Sequence, residues 1–237
     1  MDFDLGIVLR NGQPLLEGFR LTLLITLVAL AIGIAGGAVV CAGRLSRRSW
    51  IRRIAGAYVT FFRTTPEMIL IFWGYYCLPR ILGGELSSFW TGSLALGLVT
   101  AAYAGEIFRA GVEAVPKGQF EAAEALGLPR LVRWRSVILP QALRQVIGPL
   151  MNYFTELVKN TTLLSAIGTG ELALQASLLG GQTFRYLEFL TAIAVGYFII
   201  IFPITMLSRR FEVRPGTRTA ARPRRLGAAT MRSLIAR

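Results

Sequence analysis

The sequence contains no histidine, and it has only two cysteines and two lysines among its 237 residues. The missing histidine excludes Ser-His-Asp triads, HExxH zinc sites and histidine proton relays. Neither Lys117 nor Lys159 lies in the glycine-rich pattern that binds nucleotide phosphates, so no P-loop is expected. Cys41 and Cys77 lie near opposite ends of adjacent predicted spans, too far apart for a disulfide. These absences exclude several large classes of enzyme.

Long apolar stretches dominate what remains, since 54% of the residues are hydrophobic and 16% are charged. This composition is outside the usual range of soluble proteins and predicts an integral membrane protein. Residues 21–43 form a run of 23 residues without a charge, enough to cross a hydrocarbon core of roughly 30 Å as a helix. The run is too long for a signal peptide and lacks a basic start followed by a small-residue cleavage site.

Four further apolar stretches are long enough for spans: residues 65–82, 89–110, 146–167 and 187–207. Lysines and arginines concentrate after the first, third and fifth spans, whereas the other two connections carry only Arg80 and Arg185. Because positive residues favour the cytoplasmic side, the pattern predicts five transmembrane helices with the N-terminus outside and the C-terminus inside. The expected fold class is therefore all-α integral membrane.

A polar segment, EAAEALGLPRLVRWRSVILPQ, interrupts this pattern between the third and fourth spans. Its first helix is expected to begin near Lys117 and to end at Gly127 in a left-handed conformation. Pro129 suits the first turn of a second helix, which is expected to end near Pro140. Apolar residues recur at intervals of three on both helices: Phe120, Ala123, Leu126, Leu131, Trp134 and Val137. The segment is therefore predicted to be a cytoplasmic helical hairpin with two apolar docking edges.

This hairpin resembles the EAA loop of ABC-importer permeases, in which EAA is followed by three residues, a glycine, nine residues and Ile-x-Leu-Pro. The matching residues are Glu121, Ala122, Ala123, Gly127, Leu139 and Pro140. Val137 replaces the isoleucine of the pattern. The stretches FFRTTPEMILIFWGYY, AYAGEIFRAGVEAVPKGQFEAA and ELVKNTTLLSAIG also resemble permeases for polar amino acids, so the resemblance covers about residues 15–210.

The resemblance implies a permease subunit that imports polar amino acids across the bacterial inner membrane. Its hairpin would be a coupling helix that docks on a dimer of separate ATPase subunits, which hold ATP and magnesium. This chain would then be no enzyme and would hold no cofactor or metal of its own. The other implied partners are a second permease copy, in a homodimer or a heterodimer, and a solute-binding protein on the outer face.

The expected domain boundaries follow from these patterns. Residues 1–18 form a periplasmic segment, residues 19–210 the transmembrane domain with the coupling loop at 117–140, and residues 211–237 a basic cytoplasmic tail of disorder-prone composition. The net charge of +13 is compatible with nucleic-acid binding, but positive-inside topology and attraction to anionic lipid account for the same arginines. Membrane lipid is therefore an expected partner, and nucleic acid is not.

Charged residues inside the predicted spans are candidates for function, because charges are rare at membrane depth. Glu106 and Arg109, like Glu156 and Lys159, have the spacing of an ion pair within one helix. Glu106 also matches what the family carries at this point, so a structural role is expected for it. For Glu156 and Lys159 a structural pair and a functional role both remain open.

Glu67 lies near the start of the second predicted span and has no cation three or four residues further along the chain. The sequence departs from the family here, since RGTP usually precedes an apolar residue and Thr64 replaces the glycine. A carboxylate at this depth needs a partner from another helix or from the cargo. We hypothesise that Glu67 or Glu156 binds the ammonium group or another cationic group of the cargo. On the same hypothesis Arg63 or Lys159 binds the carboxylate of the cargo.

Three other functions remain open from the sequence: a permease for opines or compatible solutes such as ectoine, an ATP-independent channel or membrane scaffold, and a membrane-embedded enzyme. An enzyme would need clustered catalytic groups, and without histidine the candidates are scattered carboxylates. A channel would pass solute without ATP, so nucleotide dependence separates it from an importer.

Overall fold

The computed structural model describes residues 3–84 and 86–211 of the chain. Within these residues every regular element is a helix and no strand occurs, which confirms the all-α class. The predicted basic tail lies outside the described residues apart from its first residue.

The first half of the described chain contains five α-helical segments: α1 (Leu5–Arg10), α2 (Gly12–Arg44), α3 (Ser49–Thr64), α4 (Glu67–Phe72) and α5 (Leu78–Leu82). The second half contains six more: α6 (Ser88–Glu113), α7 (Lys117–Ala125), α8 (Arg130–Val132), α9 (Leu139–Asn160), α10 (Leu172–Thr183) and α11 (Tyr186–Phe211). Two π-helical segments, Trp73–Cys77 and Arg133–Ile138, connect neighbouring helices without a break, and a 3₁₀ segment, Thr161–Ile167, continues α9. As a result, α8, α9 and the segments around them form one long helix, Arg130–Ile167.

Helix α3 is absent from the sequence-based prediction, because its arginines suggested a loop. The helix packs against α2 and α6. It buries Val59, and the Tyr58 hydroxyl donates a hydrogen bond of 2.7 Å to the Leu98 carbonyl. Pro66 ends α3, because proline lacks an N–H and holds the preceding residue, Thr65, in an extended conformation. The predicted second span therefore corresponds to a separate, shorter helix that begins at Glu67.

Among the described residues, three helices are long and apolar enough to cross a membrane: α2, α6 and α11. A fourth crossing is present if the long helix Arg130–Ile167 and α10, which meet at 51°, form one broken span. The protein is thus a multi-pass membrane protein, while the five-span count and the orientation remain predictions.

Helices α2 and α6 pack closely along a seam of small residues. Gly33 faces Thr100 and Gly37 faces Ala104, so the two helices run parallel. A Cβ on Gly37 would lie 2.7 Å from the Ala104 Cβ and 3.0 Å from the Gly105 backbone nitrogen, closer than packed atoms normally come. Small residues at membrane helix interfaces permit this close approach. These glycines therefore serve helix packing.

The buried apolar residues form separate clusters. The main core joins α2, α4, α6 and the long helix, and consists of Ile25, Ala29, Ile71, Leu96, Leu157, Leu164 and Ile167. A smaller cluster at the base of the polar hairpin consists of Val115, Ile138 and Ala142. The hairpin therefore has a core of its own, distinct from that of the membrane helices.

Each π-helical segment ends two residues before a proline, at Pro79 and at Pro140. Proline lacks an N–H, and its ring crowds the carbonyl four residues earlier in an α-helix. In both cases that carbonyl, of Tyr75 or Ser136, lies within the wider π turn. We infer that the π turns accommodate the prolines, which explains why neither proline ends its helix.

Candidate functional site

The turn of the polar hairpin lies at Gly127, between α7 and the long helix Arg130–Ile167. Gly127 has a φ of 65°, which glycine adopts without strain. Its backbone N–H donates to the Glu124 carbonyl at 2.9 Å, and the Leu128 N–H donates to the Ala123 carbonyl at 3.2 Å. These two bonds form the Schellman turn that closes a helix. The predicted end of the first helix is confirmed.

The apolar residues of the hairpin mostly face inward, which corrects the prediction of two free docking edges. Phe120 and Trp134 pack against the hairpin core, and Ala123 is only 3% exposed. By contrast, Leu126 and Leu131 are 76% and 77% exposed on either side of the turn. The most exposed apolar side chains of the hairpin are therefore at the turn and not along both helices.

The six predicted coupling residues divide between surface and interior. Five of them are exposed: Glu121, Ala122, Gly127, Leu139 and Pro140. Ala123 is buried and helps to pack α7 against the rest of the hairpin. Five of the six are accordingly open to contact with a partner.

The second helix of the hairpin does not end near Pro140, and that prediction is wrong. The helix continues through Pro140 to Ile167, because the π turn before the proline relieves the clash with the backbone. Further along, the same helix carries Tyr153, Glu156 and Lys159. The long helix thus connects the hairpin continuously with the interior of the membrane domain.

Polar contacts tie α7 to the long helix. The Arg133 guanidinium lies 3.3 Å from a carboxylate oxygen of Glu124. The Gln141 side-chain amide donates a hydrogen bond of 3.3 Å to Gln119 Oε1. Together with the small apolar core, these contacts hold the two helices of the hairpin in one rigid unit.

A second group of polar side chains, the polar cluster, lies where α4, α6 and α9 meet: Glu67, Thr100, Tyr103, Tyr153, Glu156, Lys159 and Asn160. Asn160 lies near enough to donate a hydrogen bond to the Glu67 carboxyl group, and Glu156 lies near enough to repel it. Glu67 Oε2 is buried and has no hydrogen-bond partner among the described residues. Burying an unsatisfied carboxyl oxygen costs free energy. A hydrogen-bond donor from a ligand or from another chain would remove this cost.

Arg63 is connected to the polar cluster by two stacked rings. Its guanidinium carbon lies 4.9 Å from the ring centre of Tyr103, a cation–π contact. The Tyr103 ring stacks on Tyr153 with 4.7 Å between ring centres. The hydroxyl groups of Tyr153 and Thr100 lie 3.5 Å apart. Thr100 is near the middle of α6, so the ring pair lies at mid-depth of that helix.

The predicted ion pair between Glu156 and Lys159 is confirmed, with 2.8 Å between the ammonium nitrogen and a carboxylate oxygen. The side chains of Lys159 and Glu156 are 50% and 57% exposed. Pairs this exposed contribute at most about 1 kcal/mol. Either residue can therefore exchange its partner for a charged ligand at little cost.

The structure thus brings Glu67 and Glu156 close together, while Arg63 contacts Tyr103, which stacks on Tyr153. Tyr103, Tyr153 and Asn160 were not singled out from the sequence. For the two tyrosines, the reason is that aromatic residues at helical spacing more often belong to the core. No local pattern marks them, since their arrangement depends on the packing of α4, α6 and α9.

Glu106 has the structural role expected for it. Its carboxylate accepts from Arg109 at 2.7 Å and from Arg44 at 2.9 Å. Arg109 also contacts Glu113 at 2.6 Å. The contact with Arg44, which joins the ends of α2 and α6, was not predicted because the residues are far apart in sequence. The pairs hold the two helices together at this end.

Residues 29–215 match the family described as the inner membrane component of binding-protein-dependent transport systems. The chain belongs to this family. The matched region contains both the hairpin and the polar cluster. The chain is therefore a membrane permease subunit, and its family works in general with an ATPase and a solute-binding protein.

Similar proteins cover most of this chain. The arginine transport system permease protein ArtQ of Bacillus subtilis (strain 168) is 33% identical over 212 residues, which are 90% of this chain and 97% of ArtQ. The probable glutamine ABC transporter permease protein GlnM of the same organism is 33% identical over 88% of this chain and 98% of its own length. The probable amino-acid ABC transporter permease protein y4tG of Sinorhizobium fredii (strain NBRC 101917 / NGR234) is 36% identical over 89% of this chain and 90% of its own length.

Solved structures agree with the family. The crystal structure of an amino acid ABC transporter with histidines superposes with a TM-score of 0.82 at 31% identity, covering 90% of this chain and 99% of the other. The MetNI methionine ABC transporter, in an inward-facing conformation, superposes with a TM-score of 0.64 at 20% identity, covering 86% of this chain and 96% of the other. The second likeness is one of fold alone.

Proposed function

We propose that this chain is the permease subunit of an ABC importer that moves polar amino acids across the bacterial inner membrane. It works with a second permease copy, a dimer of ATPase subunits that hold ATP and Mg²⁺, and a solute-binding protein on the outer face. The chain itself hydrolyses no ATP. The names of its relatives, which include arginine and glutamine permeases, support an amino acid over an opine or ectoine as cargo.

One observation carries the coupling mechanism: an unbroken helix connects the exposed hairpin with the polar cluster. ATP binding closes the ATPase dimer, draws the two hairpins together and tilts the long helices toward an outward-open state. ATP can do this only because it binds the two states unequally. Hydrolysis resets the hairpins. Glu121, Ala122, Gly127, Leu139 and Pro140 contact the ATPase, while Ala123 holds the hairpin in shape.

The polar cluster binds the cargo on this proposal. The ammonium group of an amino acid supplies the hydrogen-bond donor that the buried Oε2 of Glu67 lacks among the described residues. Glu156 adds a second negative charge close by. Arg63 binds the carboxylate through the paired N–H groups of its guanidinium, and Lys159 contributes when it leaves Glu156.

A second permease copy completes the pathway. Arg63, Glu156 and Lys159 are exposed on the single chain, although charges are costly in contact with lipid. Pairing two chains about a twofold axis, the commonest symmetric arrangement, turns this face toward a shared path. The cargo then meets the polar clusters of both chains.

The test is ATP-dependent uptake by the reconstituted importer, with its ATPase and its solute-binding protein, in proteoliposomes. Gly127→Asp puts a side chain on a backbone with φ of 65° and a charge at the docking turn, so we expect uptake to be lost while membrane insertion persists. Gly118→Asp is the matched control. Gly118 lies on the same hairpin with an ordinary φ and open space around a new Cβ.

Normal uptake by Gly127→Asp would overturn the coupling role of the hairpin. Gly127→Asn separates strain from charge, because asparagine is close to aspartate in size but carries no charge and occurs in the left-handed conformation at helix ends. We expect it to keep part of the activity. Solute flux that persists without ATP would instead favour a channel.

A further inference from the structure

A cleft of about 840 Å³ lies beside the hairpin, apart from the polar cluster, and extends from the end of α2 to Arg130 near the turn. Its walls come from the end of α2, the end of α6 and the long helix. Its lining is mostly apolar and includes Ile34, Ala38, Phe108 and Leu143. Ile34 and Leu143 are 39% and 49% exposed. The described part of the chain therefore leaves this apolar wall partly uncovered.

The length of the cleft matches one leaflet of a bilayer. The α2 wall runs from Ile34 to Leu45, a rise of about 16 Å in a helix. This is about half of a hydrocarbon core of roughly 30 Å. An acyl chain that enters from one side of the membrane can therefore lie along this wall.

Three arginines line the same cleft: Arg47, Arg48 and Arg130. All three are exposed, and no acidic residue is among the lining residues. Within the described residues none of the three takes part in an ion pair. A cleft with an apolar wall and three uncompensated positive charges suits a ligand with an apolar body and an anionic head.

We propose that this cleft binds an anionic phospholipid from the leaflet on the hairpin's side, which is the cytoplasmic leaflet in the predicted orientation. Its phosphate binds Arg47, Arg48 and Arg130, and an acyl chain lies between α2 and the long helix. Basic pockets between membrane helices recognise anionic headgroups in this way. The chain's own tail is a poor occupant, because residues 212–237 carry one acid against seven arginines. The bound lipid connects the end of α2 with the hairpin.

Quenching of tryptophan fluorescence by lipid tests the proposal, because Trp134 lines the cleft. The other tryptophans, Trp50, Trp73 and Trp90, are exposed elsewhere and are replaced by phenylalanine. The full chain, in its assembled importer, is placed in bilayers that contain phosphatidylglycerol or phosphatidylcholine brominated near the headgroup. We expect the brominated phosphatidylglycerol to quench Trp134 at a lower mole fraction than the phosphatidylcholine does.

Removing the arginines should remove this preference. In the Arg47→Gln, Arg48→Gln, Arg130→Gln variant, we expect the preference for phosphatidylglycerol to fall about fivefold for each arginine lost. The control variant, Arg53→Gln, Arg135→Gln, Arg144→Gln, loses the same charge outside the cleft lining and should retain the preference. Equal quenching by both lipids in the parent, or equal losses in the two triple variants, would overturn the proposal.

Ala38→Phe provides a test that keeps every charge and does not depend on the triple variant assembling. The larger side chain narrows the apolar wall, so we expect quenching by brominated phosphatidylglycerol to decrease. Unchanged quenching in Ala38→Phe would show that no acyl chain lies in the cleft. No quenching of Trp134 by either lipid in the parent would show that protein, such as a second copy of this chain, covers the cleft, and would also overturn the proposal.

Discussion

The hairpin and the polar cluster lie on the same long helix, yet they are stabilised in opposite ways. The hairpin is held by neighbours in sequence: the Schellman turn at Gly127, a small core of its own and the Glu124–Arg133 contact. The polar cluster draws on α4, α6 and α9, and it leaves Glu67 Oε2 buried without a hydrogen-bond partner among the described residues.

On the proposed function, this difference separates a part that transmits force from a part that binds. Buried polar groups in native proteins nearly always have partners, and an exception calls for an explanation. The hairpin also leaves one buried atom, Arg133 Nε, without a hydrogen-bond partner among the described residues, but local contacts close its turn, so it can act as a rigid handle. The polar cluster is incomplete in the single chain, as expected for a site that a charged cargo or a second copy completes.

The largest effect is expected from Glu67→Gln, which removes a charge from the polar cluster with little change in shape. A hydrogen bond to a charged group contributes about 1.5–3 kcal/mol, so the apparent KM for uptake should rise about ten- to hundredfold. Uptake is measured in proteoliposomes over a range of cargo concentrations. The hairpin is untouched, so ATP hydrolysis without cargo should not change.

The control for Glu67→Gln is Glu17→Gln, which makes the same substitution at an exposed position near the start of α2. It should leave the apparent KM unchanged. If Glu67→Gln and Glu156→Gln both transport with unaltered affinity and rate, the polar cluster does not bind the cargo.

An intermediate effect is expected from Glu106→Gln. This substitution tests whether a carboxylate with protein partners, unlike Glu67, stabilises the fold without binding the cargo. The substitution weakens contacts with Arg44 and Arg109, so the free energy of unfolding should fall by about 1–2 kcal/mol while cargo affinity stays the same. Thermal unfolding of the purified complex in detergent measures the change. Glu113→Gln, at a 54% exposed partner of Arg109, should cost less. An altered cargo affinity in Glu106→Gln would contradict the structural role.

The smallest effect is expected from Glu124→Gln in the hairpin. The Glu124 side chain is 72% exposed and lies 3.3 Å from Arg133, and such pairs contribute below about 1 kcal/mol. Uptake and thermal stability should therefore remain close to those of the parent chain. A large loss of uptake without loss of stability would mean that Glu124 contacts the ATPase directly.

The hairpin could be predicted from sequence because its determinants are local. A glycine between two helical patterns indicates a left-handed turn, and Gly127 has that conformation. The same local reasoning failed at Pro140, where the helix continues through the proline after a π turn. It also failed at α3, where arginines suggested a loop although the helix packs on α2 and α6.

The polar cluster could be predicted only in part. Glu67 and Glu156 stand out because charges are rare in apolar stretches. Their proximity, and the stack of Tyr103 on Tyr153, depend on how three helices pack and leave no mark in the local pattern. The contact of Arg44 with Glu106 is hidden for the same reason, since 62 residues separate them.

A pair of spin-label distances in the reconstituted importer tests whether the hairpin and the long helix move as one rigid unit. Labels on Ala125→Cys and Ala166→Cys report on the two ends of one unit, with Cys41 and Cys77 replaced by alanine. The account predicts that the distance between residues 125 and 166 of one chain is the same with and without trapped ATP, while the distance between the two hairpins shortens. A distance within one chain that changes as much as the distance between hairpins would mean that the long helix bends or that α7 moves relative to it, and would contradict a rigid connection between hairpin and membrane domain.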